Sequence, residues 1–188
     1  MEDEIFSVFP EINTERLHLR EITHEDAESI YKILSKSEVV KYDRLELFTN
    51  IEQAENIITR FNDEFKQKQA IFWGISLKNE SEIIGFCKCE IEVPKVRADL
   101  GYNLRPEYWN NGIMTETLGA IIDFTFKTLN MNRIEAAVST KNNSSSRVLE
   151  KLGFVREGIL RERSYLNDGC HDMIMFSILK KEYCINSK

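Results

Sequence analysis

Two hydrophobic rhythms run along the chain, and the switches between them predict most of its elements. From Arg16 to Ile22 apolar and polar residues alternate, the period of a half-buried strand. Thr23 and Asp26 then form an N-cap-like opening to a helix carrying Ala27, Ile30, Tyr31, Ile33 and Leu34. Asn50 caps a second helix, with Ile51, Ala54, Ile57, Ile58, Phe61 and Phe65 on one stripe. Both stripes read as core-packing faces.

The rhythm changes again after Lys68. Ile71 to Leu77 is a strand rich in β-formers, closed by a turn over Lys78, Asn79, Glu80 and Ser81. A longer strand runs from Ile83 to Val93, the chain turns around Pro94, and Ala98 to Leu104 returns. Cys87, Cys89 and Ile91 share one face of this hairpin with Leu100, Tyr102 and Leu104. Pairing Ile91 with Leu100 keeps the two apolar sets together, and a slip of one residue would separate them. The opposite face then gathers Glu90, Glu92 and Asp99 into an acidic patch that would suit a cationic substrate. Residue chemistry alone leaves a solvated polar face as an equal reading.

Arg105 to Thr117 joins that strand to a helix through an Asn110-Asn111-Gly112 turn. The helix turns Met114, Leu118, Ile121, Ile122, Phe126 and Leu129 to a core, and Arg133 to Ser139 follows as a strand. Strand, helix, strand predicts a right-handed crossover. Asn142 to Ser146 caps a short helix that ends at Gly153, where a C-cap takes positive φ. Two strands close the chain, Val155 to Tyr165 and Asp172 to Leu179, joined at Asn167-Asp168-Gly169. Met173 to Phe176 is apolar on both faces and so belongs inside the sheet. The fold class is mixed α/β (α+β), a single domain over residues 1–188. It has a mostly antiparallel central sheet of about seven strands with helices on both faces.

Composition narrows the function more than the fold. The chain has 25 basic and 31 acidic residues, a net charge of −6, which disfavours binding to nucleic acid or an anionic membrane. The four cysteines form no C-x-x-C pair and lie far from the three histidines, so no metal site is expected. No run is long enough to span a bilayer, and Met1 to Pro10 has no signal-peptide pattern. The expectation is a reduced, cytoplasmic protein.

Orphan N–H groups and the positive end of a helix dipole make the turn before Ile113 suitable for phosphate. It is neither a Gly-x-Gly-x-x-Gly fingerprint nor a P-loop, and by itself it is an ordinary helix start. Its neighbours change that. The succession of Thr14–Glu21, Gly101–Thr117, Asn142–Gly158 and Asn167–Asp172 resembles the GNAT superfamily of N-acetyltransferases. Within it, the chain is most similar to the RimJ/RimL-type branch, which modifies ribosomal-protein N-termini and has relatives of other specificity. The resemblance runs from Thr14 to about Glu182.

The resemblance implies acetyl-CoA as co-substrate and direct transfer of the acetyl group to a primary amine. That amine would be a protein N-terminus, such as a ribosomal protein's, or a polyamine or aminoglycoside. Asn110, Asn111, Gly112, Ile113, Met114 and Thr115 would cradle the pyrophosphate. Tyr102, Asn103 and Leu104 would pair with pantetheine along a slot where the strand splays from Arg133–Ser139. Asn142 would hold a pantetheine amide, Ser145 would assist the thiolate, and Asp99 would be the general base. Glu90 and Glu92 would stand on the amine side and raise the Asp99 pKa by like-charge repulsion. The helices from Thr23 to Gln67 would line the acceptor side, and a homodimer is common among such proteins. Helix capping accounts for the Asn/Ser run as well as catalysis does.

Two positions depart from the family pattern, Glu107 and Asn110, where glycine is usual. Asn tolerates left-handed φ, so the turn survives Asn110. Glu107 would oppose phosphate unless it points to solvent. These two residues favour the alternative function, a catalytically weak CoA or acyl-CoA sensor of the same fold.

Overall fold

The structure, a computed structural model, describes residues 5–92, 96–166 and 169–186. The strands are Ile12–Asn13 (β1), Leu17–Glu21 (β2), Ala70–Leu77 (β3), Ile83–Ile91 (β4), Arg97–Leu104 (β5), Arg133–Ser139 (β6), Val155–Leu166 (β7) and Gly169–Leu179 (β8). The helices are Ala27–Leu34 (α1), Ser37–Val40 (α2), Ile51–Lys66 (α3), Ile113–Lys127 (α4), Asn143–Lys151 (α5) and Lys180–Asn186 (α6). Among the described residues the strands form one sheet in the order β1-β2-β3-β4-β5-β6-β8-β7. Each neighbouring pair is antiparallel except β5 and β6. β8 is therefore internal, as its two apolar faces require. The expected seven strands become eight because β1 adds Ile12 opposite Leu19; two residues carry no readable alternation.

The two faces of the sheet carry separate cores. On one, Leu17, Leu19, Ile71, Trp73 and Ile75 meet Leu118, Ile121, Ile122 and Phe126 of α4 and Leu149 of α5. On the other, Phe72, Ile83 and Phe86 meet Ile30 and Ile33 of α1 and Ile58 and Phe61 of α3. β3 supplies both by alternation, Ala70 and Phe72 one way and Ile71 and Trp73 the other. Phe61 stacks on Phe72 with ring centroids 3.9 Å apart. Ile51, assigned to the buried stripe from spacing, is 41% exposed, because α3 begins to pack only at Ala54.

Caps fix the helix ends. The Asn50 side chain accepts from Gln53 N at 3.1 Å, and the Gln53 side chain returns to Asn50 N at 3.2 Å. Thr23 N donates to Asp26, whose two carboxylate oxygens also receive the Arg20 guanidinium at 2.9 and 2.7 Å. That fork ties the start of α1 to β2. Cys87 and Cys89 are buried as expected, and burial pushes both thiols up, Cys89 to about 12.

The β4–β5 register corrects the expectation. Ile91 pairs with Ala98 and Cys89 with Leu100, two residues away from the Ile91–Leu100 pairing. A shift of two keeps each side chain on its face, so hydrophobic alternation cannot detect it. The observed register is held at the hairpin end by Glu92 N on Arg97 O at 3.1 Å and Arg97 Nε on Glu92 at 2.5 Å. Pro94 of that expected turn, and Asn167 and Asp168 of the last one, lie outside the described residues.

Candidate functional site

β5 and β6 pair at Arg97↔Arg133, Ala98↔Ile134 and Asp99↔Glu135, and then part. Both strands continue, β5 to Leu104 and β6 to Ser139, so a gap opens inside the sheet. Arg97 O and Arg105 N bond to Glu92 and Ile84 at 3.1 and 2.9 Å. Ladder alternation therefore turns the peptide groups of Asp99, Gly101 and Asn103 to β4 and those of Leu100, Tyr102 and Leu104 to the β6 side. There the Leu100 N–H closes the Asp99↔Glu135 pair, and Tyr102 and Leu104 face the gap. The Trp109 indole N–H meets Leu104 O there at 2.7 Å. Of the strand residues expected along the slot, Tyr102 and Leu104 thus offer backbone to it. Asn103 has its peptide in the β4 ladder and its side-chain amide on Asp43 at 2.8 Å.

At the open end of the gap the chain reverses into α4. A short 3₁₀ turn, Pro106–Tyr108, opens with proline, and Asn110 (φ 60°) and Gly112 (φ 75°) are both left-handed. The first helical bond is Glu116 N to Gly112 O, at 3.0 Å, so the N–H groups of Ile113, Met114 and Thr115 have no helical acceptor. They carry the positive end of the α4 dipole. A Cβ on Gly112 would sit 3.4 Å from the Arg16 guanidinium as well as straining its φ. Arg16 holds the turn from below: Nη1 donates to Asn111 O at 3.0 Å and Nε to Glu116 at 2.6 Å. Burial opposes ionisation of Glu116. The Thr14 hydroxyl, the Arg16 N–H and the Arg16 guanidinium outweigh it and hold the carboxyl below the usual range. Glu107 is exposed; its own backbone N–H and Arg105, 3.6 Å away, keep its carboxylate ionised.

The other wall is the start of α5. Asn142 caps the helix by accepting Ser145 N at 3.2 Å. Its capping and its exposure to the gap are compatible, since one oxygen serves the helix and the amide N–H₂ is left over. Ser145 Oγ lies 2.5 Å from the Tyr102 hydroxyl. Tyr102, Leu104, Trp109, Thr115, Asn142 and Ser145 all line one cleft of about 530 Å³. Glu38, Lys41 and Tyr42 of the α2 region close one side of it, and Arg147 and Lys151 of α5 add positive charge.

Asp99 lies where the gap begins, but its side chain projects to the face opposite Tyr102, because odd and even strand positions alternate. It stands directly across from Glu90 on β4 and Glu135 on β6. Burial raises its pKa; Lys88 opposes this, and Glu90 and Glu135 add to it. The acidic group around Asp99 is therefore not the expected one. Glu92 is engaged by Arg97 at 2.5 Å, Glu90 by Lys88 at 2.6 Å, and Glu135 takes the place reserved for Glu92. Glu135 in turn accepts from Arg97 at 2.9 Å and Arg133 at 2.5 Å, and Arg133 grips Glu157 at 2.8 and 2.5 Å. This ion network spans β5, β6 and β7 at the closed end of the gap.

The structure gathers Tyr102, Asn103, Leu104, Asn110, Gly112, Ile113, Met114, Thr115, Asn142 and Ser145 around one cleft, leaves Asn111 out of its lining, and keeps Asp99 with Glu90 on the other face of β5. Sequence reasoning missed Arg16, Trp109 and Glu135. The crossover makes β6 the neighbour of β5, but the register that puts Glu135 beside Asp99 has no signal in the sequence. Among the described residues no group of three or more His, Cys, Asp or Glu could hold a metal ion. Nor is any helix among them long and apolar enough to cross a membrane.

What the arrangement can do chemically follows from its parts. Free N–H groups at a helix start suit a pyrophosphate, and an unpaired strand edge suits an extended amide chain laid beside it. Hydroxyls stand on one face of the seam and a carboxylate of raised pKa on the other. The seam therefore suits an acyl carbonyl attacked from one side and relieved of its leaving group on the other.

Residues 16–155 match the family described as acetyltransferase (GNAT) domain. The chain is 39% identical over 174 residues to the uncharacterized N-acetyltransferase YoaA of Bacillus subtilis (strain 168), covering 92% of this chain and 98% of that protein. A GNAT-family acetyltransferase from Bacillus anthracis superposes with a TM-score of 0.83 at 26% identity, over 92% of this chain and 100% of that one. The ribosomal-protein-S5-alanine acetyltransferase from Vibrio fischeri does so with a TM-score of 0.81 at 28% identity, over 93% and 98%.

Proposed function

Because the chain belongs to the GNAT acetyltransferase family, we propose that it moves an acetyl group from acetyl-CoA directly to a primary amine. The observation that carries this reading is the parting of β5 and β6 beside the α4 N-terminus: it leaves peptide edge and phosphate-type donors on one line. When bound, acetyl-CoA supplies an activated thioester and a thiol leaving group.

Each residue then has a task. The N–H groups of Ile113, Met114 and Thr115 hold phosphate oxygens, with Arg16 fixing the turn that presents them. The peptide group of Tyr102 and the Leu104 N–H orient the amide arm in the gap, and the Asn142 amide adds a donor. Asp99 takes the proton of the incoming amine, directly or through water; its raised pKa suits a base. Ser145 donates a hydrogen bond to the leaving sulfur. A thiol has an ordinary pKa of about 8.5, so its thiolate needs only that help.

The amine arrives on the acidic face, near Asp99 and Glu90. An α-amino group, with a pKa of about 7.7–8.0, is partly neutral at neutral pH and demands less of Asp99 than a lysine-like amine of about 10.4. The likeness to an S5-alanine acetyltransferase makes peptide N-termini the first acceptors to try. Glu107 and Asn110, which favoured a sensor, leave the cradle intact: one faces solvent and the other adopts the left-handed turn. The test is release of free thiol from acetyl-CoA with N-terminal peptides, polyamines and aminoglycosides. Release with at least one amine is expected; binding of acetyl-CoA without release for any of them would return the sensor reading.

A further inference from the structure

The hydroxyls of Tyr102 and Ser145 meet at 2.5 Å, one from β5 and one from the first turn of α5. They lie in the cleft wall rather than in the acidic face, since Tyr102 projects opposite to Asp99. The other contact of the Tyr102 hydroxyl is the Ser145 carbonyl, at 3.4 Å, and the Ser145 N–H is already engaged by Asn142. Each hydroxyl carries a single proton, so the pair has two possible directions. If Ser145 donated to Tyr102, its proton would be held inside the pair, and the tyrosine proton would be left with a long bond to the carbonyl. If Tyr102 donates, its own proton makes the short bond and the Ser145 proton is free to point into the cleft.

We infer that Tyr102 is a positioning residue for acetyl transfer: its phenol donates to Ser145 Oγ and thereby aims the Ser145 hydroxyl at the departing sulfur. The inference rests on the acetyltransferase reading above. Burial pushes the Tyr102 phenol up, with the Ser145 bond working against it, so Tyr102 remains a neutral donor throughout the working range. A hydroxyl that accepts one hydrogen bond is polarised and donates a stronger one in a partly buried site. The transfer balances without moving either hydroxyl proton. The amine nitrogen bonds to the acetyl carbon, the carbon–sulfur bond breaks with its pair on sulfur, and the amine proton goes to Asp99 or water. The thiolate, held by the Ser145 hydrogen bond, takes its proton from solvent on leaving.

Thiol release by Tyr102→Phe, Ser145→Ala and the double variant tests this, with acetyl-CoA varied at saturating amine. Tyr102→Phe is expected to lower kcat about tenfold, the scale of one hydrogen bond, and to leave the KM for acetyl-CoA within about twofold of wild type. Ser145→Ala should lose at least as much, and the double variant no more than Ser145→Ala alone, because the phenol acts only through the serine. A wild-type kcat in Tyr102→Phe would overturn the inference, as would a double loss equal to the product of the single losses. A rise in KM at constant kcat would reduce Tyr102 to shaping the slot and overturn it too. Tyr102→Leu removes the same hydroxyl and replaces the phenylalanine variant if that one fails to fold. A wild-type chain that releases no thiol with any amine overturns the acetyltransfer reading itself; an active wild type matched by Tyr102→Phe overturns this inference alone.

Discussion

Arg16 and Glu116 stand a hundred positions apart and meet at 2.6 Å, while the same guanidinium reaches the Asn111 carbonyl at 3.0 Å. The N-terminal strand is thus pinned to the turn before α4, and the orientation of the Asn111 peptide depends on it. Arg16→Met should loosen the turn without touching the acyl end of the cleft. The expected result is a rise of about fivefold in the KM for acetyl-CoA, or about 1 kcal/mol for a solvent-screened charge-assisted bond. With kcat unchanged, that pattern marks lost binding common to ground and transition states. Steady-state thiol release checks it, and a fall in kcat at constant KM would count against it.

Asp99 gives a prediction in which activity and stability move in opposite directions. Its pKa is raised mainly by burial, so the folded chain holds this proton more tightly than the unfolded chain does. The stability it contributes is full below the unfolded pKa and is lost as pH rises through the folded one. At neutral pH the ionised carboxylate therefore weighs against folding, and Asp99→Asn should raise the melting temperature at pH 7 but not in acid. Turnover should fall about a hundredfold, the lower end for a general base, and fall further with lysine-like amines than with α-amino groups. Thermal melts and a pH–rate series on the two proteins test both halves.

Glu157 behaves in the reverse sense. Arg133 first, and the Ser177 hydroxyl second, lower its pKa from 4.5 to about 2, with burial working weakly the other way. Its stabilisation is present above pH 4.5 and is lost as pH falls toward 2. Glu157→Gln should flatten that acid limb of stability. The effect is modest because the side chain is 42% exposed and solvent screens the pair. Acid melts compared between the two proteins give the measurement.

Asn110 holds φ at 60° where glycine would carry no strain. Asn110→Gly should keep acetyl-CoA affinity equal or tighter. Asn110→Ala should cost about 1 kcal/mol of stability and weaken binding, since alanine lacks the polar side chain that eases a left-handed residue. Titration calorimetry with CoA alongside melts separates the two effects. A large loss of affinity in Asn110→Gly would mean that the Asn side chain itself touches the phosphates.

The sequence was most legible where one residue type settles a local geometry. Gly112, Gly153 and Asn110 announce their left-handed turns, Asn50 and Asn142 their caps, and the apolar run in β8 its place inside the sheet. It was least legible where a choice leaves the local pattern unchanged. The β4–β5 register could shift by two without moving a side chain to the other face, so only the Glu92–Arg97 closure reveals it. Glu135 was hidden because its partnership with Asp99 depends on how far β5 and β6 pair before parting. Trp109 drew no reading from the sequence, because its bond to Leu104 O exists only once the chain has doubled back. Glu107 looked harmful by its charge alone; it sits inside the proline-started turn, exposed and 3.6 Å from Arg105.

The short β5–β6 seam also sets how the molecule meets solvent. A sheet interior normally shields its amides from hydrogen exchange, yet here Tyr102 and Leu104 present theirs to the gap beyond the last β5–β6 pair, Asp99↔Glu135. These amides should exchange quickly in the free protein, as an unprotected notch reaching to the middle of a protected sheet. An acyl donor laid along the notch would close it and supply the missing ladder. Because those bonds belong only to the folded chain, donor binding should also raise the unfolding free energy in proportion to the logarithm of its concentration.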